Sequence, residues 1–178
     1  ELYQQAVKLG DAIAMNNLGL CYEKGNGVEQ SWDKAVELYQ QAVALGHERA
    51  ITNLATCYAE GNGVEQSWDK AVELYQQAVK LGDAIAMNNL AICYAEGNGV
   101  EQSWDKAIAL YQKGMALGEA SAMRNLGVLY HQGEGVDSNQ EKAAELFQQA
   151  VDLGHAGAMF NLALCYGCGE GVETDDEK

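Results

Sequence analysis

A period of 36 residues runs through this chain. Self-similarity at a period between about twenty and fifty residues commits a sequence to a stack of small repeated units. The Leu-Gly pair falls at Leu9-Gly10, Leu45-Gly46, Leu81-Gly82, Leu117-Gly118 and Leu153-Gly154. An Asn-Leu pair keeps the same beat at Asn17-Leu18, Asn53-Leu54, Asn89-Leu90, Asn125-Leu126 and Asn161-Leu162, and Tyr22, Tyr58, Tyr94, Tyr130 and Tyr166 each stand four residues past that Leu. No insertion breaks the register.

Within a period the pattern reads helix, tight loop, helix, turn. Ala14, Met15, Leu18, Cys21 and Tyr22 recur at three- and four-residue spacing, which predicts an amphipathic helix A from Asp11 to Lys24. Gly25-Asn26-Gly27 stops it, because glycine enters the left-handed region cheaply where another residue loses roughly 1–2 kcal/mol. Helix B starts after Ser31, whose hydroxyl can accept from the unpaired amides of the first turn, and Ser67, Ser103, Asn139 and Asp175 offer a capping side chain at the same position. Ala35, Leu38, Tyr39, Ala42, Val43 and Leu45 form its expected buried stripe, and Gly46 its C-terminal cap. One such pair cannot bury both stripes, so neighbours must stack. The expected fold class is all-α, a solenoid of antiparallel helix pairs. The array occupies 1–178, with a partial helix B at 1–10, full repeats at 11–46, 47–82, 83–118 and 119–154, and a partial repeat at 155–178.

The pattern Ala14, Asn17-Leu18-Gly19, Tyr22, Gly25-x-Gly27-Val28, Asp33, Ala35, Tyr39, Ala42 and Gly46 resembles the Sel-one-like repeat, a relative of the tetratricopeptide repeat. A tetratricopeptide unit repeats every ~34 residues and usually closes with proline; this chain has a longer period and no proline. The resemblance implies a right-handed superhelix that works as an adaptor for proteins or peptides, with helix A lining its concave surface.

With no catalytic constellation to follow, the copies themselves mark a candidate surface. On helix A two positions vary more than their neighbours: Ile13, Arg49, Ile85, Ser121, Gly157 and Asn16, Thr52, Asn88, Arg124, Phe160. One turn on lie Leu20, Thr56, Ile92, Val128 and Leu164. Ligand recognition and drift on a tolerant surface both account for that variation. The asparagines Asn17, Asn53, Asn89, Asn125 and Asn161 also carry two readings, since an amide offers donor and acceptor. They could pair with an extended peptide, or tie each helix to the next repeat, and their presence in all five copies favours the tie. The Trp32, Trp68 and Trp104 ladder either covers the glycine-rich loops, the favoured reading, or forms an adhesive ridge.

Other functions are disfavoured. A formal charge of −15, from 11 Lys+Arg against 26 Asp+Glu, argues against nucleic acid, whose phosphates call for cations; it suits a basic or neutral partner, and equally suits a role in keeping a long repeat stack soluble. No apolar run approaches the ~18 residues of a membrane span. Ser31 to Lys34, Ser67 to Lys70 and Ser103 to Lys106 match the S-x-x-K motif of penicillin-recognising enzymes. Three copies of one active site are implausible, the S-D-N and K-T-G partners are absent, and Ser31 already has a capping role. An enzyme is therefore not expected, nor a cofactor. His47 and His155 share a position held by Asp11, Asp83 and Glu119 in other copies, which points to helix capping rather than metal. Cys21, Cys57, Cys93 and Cys165 fill one buried helix-A position, and Cys165-x-x-Cys168 lacks the second pair a structural zinc needs. This cysteine usage favours a reducing compartment such as the cytoplasm. Glu1 corresponds to Glu37, so the sequence opens inside a helix B and reads as an excerpt. Open ends would permit head-to-tail stacking into a filament, the alternative function to an adaptor.

Overall fold

The computed structural model describes residues 1–169 and 171, which form ten α-helices and no strand. In order these are α1 Leu2–Lys8, α2 Ala12–Lys24, α3 Trp32–Ala44, α4 Glu48–Glu60, α5 Trp68–Lys80, α6 Ala84–Glu96, α7 Trp104–Ala116, α8 Ala120–Gln132, α9 Gln140–Asp152 and α10 Ala156–Cys168. Even-numbered helices are the A helices and odd-numbered ones the B helices. None of them is long and apolar enough to cross a membrane. Two compact units are resolved: residues 1–86 with 98–100, and residues 87–97 with 101–178.

The boundaries follow from capping chemistry. Asp11 Oδ1 accepts from the Ala14 amide at 3.0 Å, and in α4 the Nδ1 of His47 accepts from Ala50 at 3.3 Å. His155 Nδ1 does the same for Ala158 at 3.1 Å, so both histidines stand in for a capping aspartate. On helix B, Ser31 accepts from the Lys34 amide and Asn139 from the Lys142 amide; Asp175 lies outside the described residues. Each A helix ends on a left-handed glycine, Gly25 at φ +70° and Gly61 at φ +75°. The backbone then folds back: the Ser31 amide donates to the Tyr22 carbonyl at 3.0 Å, a bond repeated by Ser67 to Tyr58, Ser103 to Tyr94 and Asn139 to Tyr130. This pins the start of each B helix to the end of its A helix, so the pair is antiparallel.

In the first unit α1 packs on α2, α2 on α3, α3 on α4 and α4 on α5. Ala35, Val36, Tyr39, Leu54 and Cys57 make one core cluster, with Trp32, Tyr58 and Val64 against it. In the second unit α7 packs on α8, α8 on α9 and α9 on α10, around clusters that include Tyr111, Leu126, Leu146 and Phe147. The chain thus has the all-α solenoid fold of stacked helix pairs. Two packing expectations need correction. Leu45 is 56% exposed, because it is the C-cap residue and the turn at Gly46 takes it off the buried stripe. Cys21 is half-buried while Cys57, Cys93 and Cys165 are buried.

Candidate protein-binding groove

The A helices of the first unit enclose one concavity of about 430 Å³ lined by residues of α2, α4 and the start of α6. Nine of the variable or repeated helix-A residues meet there: Ile13, Asn16, Asn17, Leu20, Arg49, Thr52, Asn53, Thr56 and Ile85. Two that the sequence reading left out, His47 and Asp83, join them. Both are the helix caps, and each brings a polar group to the groove wall.

The lining divides into a fixed floor and a free rim. Asn16 and Thr52, and Asn88 at the equivalent position in the second unit, are buried rather than presented as open surface, with exposures of 3%, 4% and 6%. Their polar atoms are engaged. Asn53 Nδ2 donates to Asn16 Oδ1 at 2.9 Å, and Asn125 Nδ2 to Asn88 Oδ1 at the same distance. Thr52 Oγ1 donates to Asp83 Oδ2 at 3.0 Å. In the second unit Arg124 replaces the small amide and spans two helices, its Nε donating to Asn161 Oδ1 at 3.0 Å and its Nη1 to Asn125 Oδ1 at 3.1 Å. Within each unit, asparagine side chains therefore tie one repeat to the next. Leu20, Ile92 and Val128 also turn inward, packing against core clusters, whereas Leu164 is exposed. The free rim of the groove consists of exposed Ile13, Arg49 and Ile85; in the second unit Phe160, at the position equivalent to Asn16, is 67% exposed.

Repeated side-chain pairs hold the A and B helices in place beneath this surface. Lys34, Lys70, Lys106 and Lys142 each set Nζ over the ring of Tyr22, Tyr58, Tyr94 and Tyr130, at 5.2, 5.0, 5.0 and 4.3 Å from the centroid. These are cation–π contacts. The fixed spacing of Lys and Tyr in four copies is the signal that could have revealed them. The tryptophans are half-buried and pack on the loop that follows: Trp32 joins Val64 in a cluster, and Trp104 joins Val136. Burial raises Cys57 to about 12 and Cys93 to about 11, with Glu60 and Glu96 respectively adding to the effect. Such thiols stay protonated and unreactive. Among the described residues no group of three or more His, Cys, Asp and Glu side chains is placed to hold a metal ion.

A larger concavity of about 730 Å³ is lined by Glu141, Ala144, Leu162 and Tyr166, among others. Leu162 and Tyr166 are the equivalents of Leu54 and Tyr58, which in the first unit pack with Leu74 of α5. It has the residue make-up of a helix-packing face, and the smaller groove, where the variable residues meet, is the better candidate for a ligand.

No curated protein sequence matches the chain. Among solved structures, a Sel1 repeat protein from Oxalobacter formigenes is 28% identical with a TM-score of 0.79, the match covering 93% of this chain and 66% of that one. A protective antigen of uropathogenic Escherichia coli strains, displaying an SLR fold, is 31% identical with a TM-score of 0.81, over 97% of this chain and 37% of its own. An immunity protein from Pseudomonas aeruginosa is 26% identical with a TM-score of 0.74, over 98% of this chain and 67% of that one. The chain thus spans less than two thirds of the first two. The Sel1 repeat model matches residues 12–47, 49–83, 84–119, 120–155 and 156–178, so the chain belongs to the Sel1 repeat family.

Proposed function

We propose that this protein is a non-catalytic adaptor that binds a protein or peptide segment in the helix-A groove of its first unit. Sel1 repeat proteins are generally scaffolds for protein–protein interaction. The observation that carries the reading is the convergence of nine variable or repeated helix-A residues on one groove. Their chemistry suits a peptide. Ile13 and Ile85 offer apolar area at the rim, Arg49 an exposed cation, and the Asn17 Nδ2 and Asn53 Oδ1 amide atoms can meet a main chain beside the Asn53–Asn16 tie.

Selection of binders from a random-sequence peptide library tests the reading. Peptides selected on the wild-type chain should bind Ile13→Ser and Arg49→Ala about tenfold more weakly or worse, as expected when a rim contact of one or two kcal/mol is lost. Solution mass should stay constant over a concentration series. Peptides indifferent to both variants would remove the groove from consideration, and growth into rods would make end-to-end assembly the leading function.

A further inference from the structure

Beside the groove lies a smaller cavity of about 170 Å³, lined by Glu23, Trp32, Asn53, Thr56, Cys57 and Glu60. Asn53 and Thr56 line both spaces, so a segment lying in the groove passes the mouth of the cavity. We infer that this cavity is a specificity pocket for one cationic side chain, arginine or lysine, of the bound protein segment. The assignment rests on the groove being the binding surface.

Four observations lead there. Trp32 lines the cavity, and an aromatic face attracts a cation and stacks well on a guanidinium. Two carboxylates stand with it, and each spends only one oxygen: Glu23 Oε2 accepts from the Tyr39 hydroxyl at 2.7 Å, and Glu60 Oε2 from Asn62 Nδ2 at 2.6 Å. The remaining oxygens meet no cationic side chain among the described residues, and both glutamates sit in the last turn of a helix, where the dipole also favours positive charge. Cys57, 2% exposed, also lines the cavity, and burial together with the charges of Glu23 and Glu60 holds its thiol protonated. The fold does not demand this arrangement. The equivalents of Glu23 are Ala59, Ala95, His131 and Gly167, so Glu23 and Glu60 make a carboxylate pair found only where the first repeat meets the second.

The test uses the full chain, labelled with nitrogen-15, and follows the Trp32 indole N–H, assigned by its loss in Trp32→Phe. N-acetyl-arginine amide should shift that resonance saturably, while N-acetyl-citrulline amide, its uncharged isostere, should leave it in place. Glu23→Gln and Glu60→Gln should each weaken the arginine probe about tenfold, the effect of losing one charge-assisted contact. Alanine at two of the Glu23 equivalents, Ala59 and Ala95, and the exposure of Glu60 make both variants compatible with the fold. Ile13→Ser and Arg49→Ala should not affect the probe. An absent shift, an equal shift with citrulline, or indifference to both glutamine variants overturns the pocket. Peptides that depend on Ile13 and Arg49 but show no basic preference also overturn it, and leave the groove standing.

Discussion

Gly63 and Gly46 both hold positive φ, +70° and +81°, yet they serve different ends. A Cβ on Gly46 would meet nothing within 4 Å, whereas one on Gly63 would lie 2.6 Å from the carbonyl carbon and oxygen of Trp32. The second glycine of the loop is therefore where the previous helix pair approaches, and Gly99 against Trp68 repeats the contact at 2.7 Å. Gly46→Ala should cost about 1–2 kcal/mol from backbone strain alone. Gly63→Ala should cost about 3 kcal/mol or more, because Trp32 backbone must also move. Denaturant midpoints of the two variants make the comparison, and equal losses would mean that the close approach contributes nothing. Copy comparison could not separate these roles. Both loop glycines recur in all five copies, and a sequence shows that a position must be glycine without showing whether φ or a neighbour requires it.

Between elements, the same ambiguity attached to the asparagines, and here the geometry decides what they touch. Asn53 on α4 reaches Asn16 on α2, whose side chain is buried, so removing one partner strands the other. Asn53→Ala should cost about 1–3 kcal/mol, and Asn16→Ala/Asn53→Ala less than the sum of the single losses. A double-mutant cycle that proves additive would break the tie between these helices. The buried thiols of the A helices give a second expectation. Cys57 and Cys93 ionise at about 12 and 11 in the fold against an ordinary value of 9.0, so the folded state holds their protons more tightly than the unfolded chain does. Their contribution is fully present below pH 9 and is lost as pH rises toward 11 and 12. Cys57→Ala should therefore flatten the alkaline fall in unfolding midpoint above pH 9, where an unchanged slope would show that the thiol is not the titrating group. Helix placement, caps and the position of these cysteines were legible from periodicity. The inward turn of Leu20 and Ile92 was not, since apolar residues one turn past a groove position suit an exposed rim and a buried edge equally well in sequence.

At the scale of the molecule, the 36-residue period gave away the architecture because each pair must lean on its neighbours. It did not give away the groove wall, because His47 and Asp83 enter it as helix caps, and capping alone accounts for their residue types. Nor did it mark the Glu23 pocket, whose carboxylates come from two successive repeats and meet only when the helices stack. Stacking of this kind makes contacts local: Leu54 packs with Ala35, Val36, Tyr39 and Cys57, all within the first unit, and the second unit has core clusters of its own. Stability in such an array is a sum over pairs and their interfaces, so damage should spread to nearest neighbours and fade. Leu54→Ala, at a site 5% exposed, removes about 2–5 kcal/mol of packing. Hydrogen exchange should then show protection falling through α3, α4 and α5 while α8, α9 and α10 keep theirs. A uniform loss across all ten helices would instead require that the two units unfold as one cooperative body, and groove substitutions in the first would then act on the second as well.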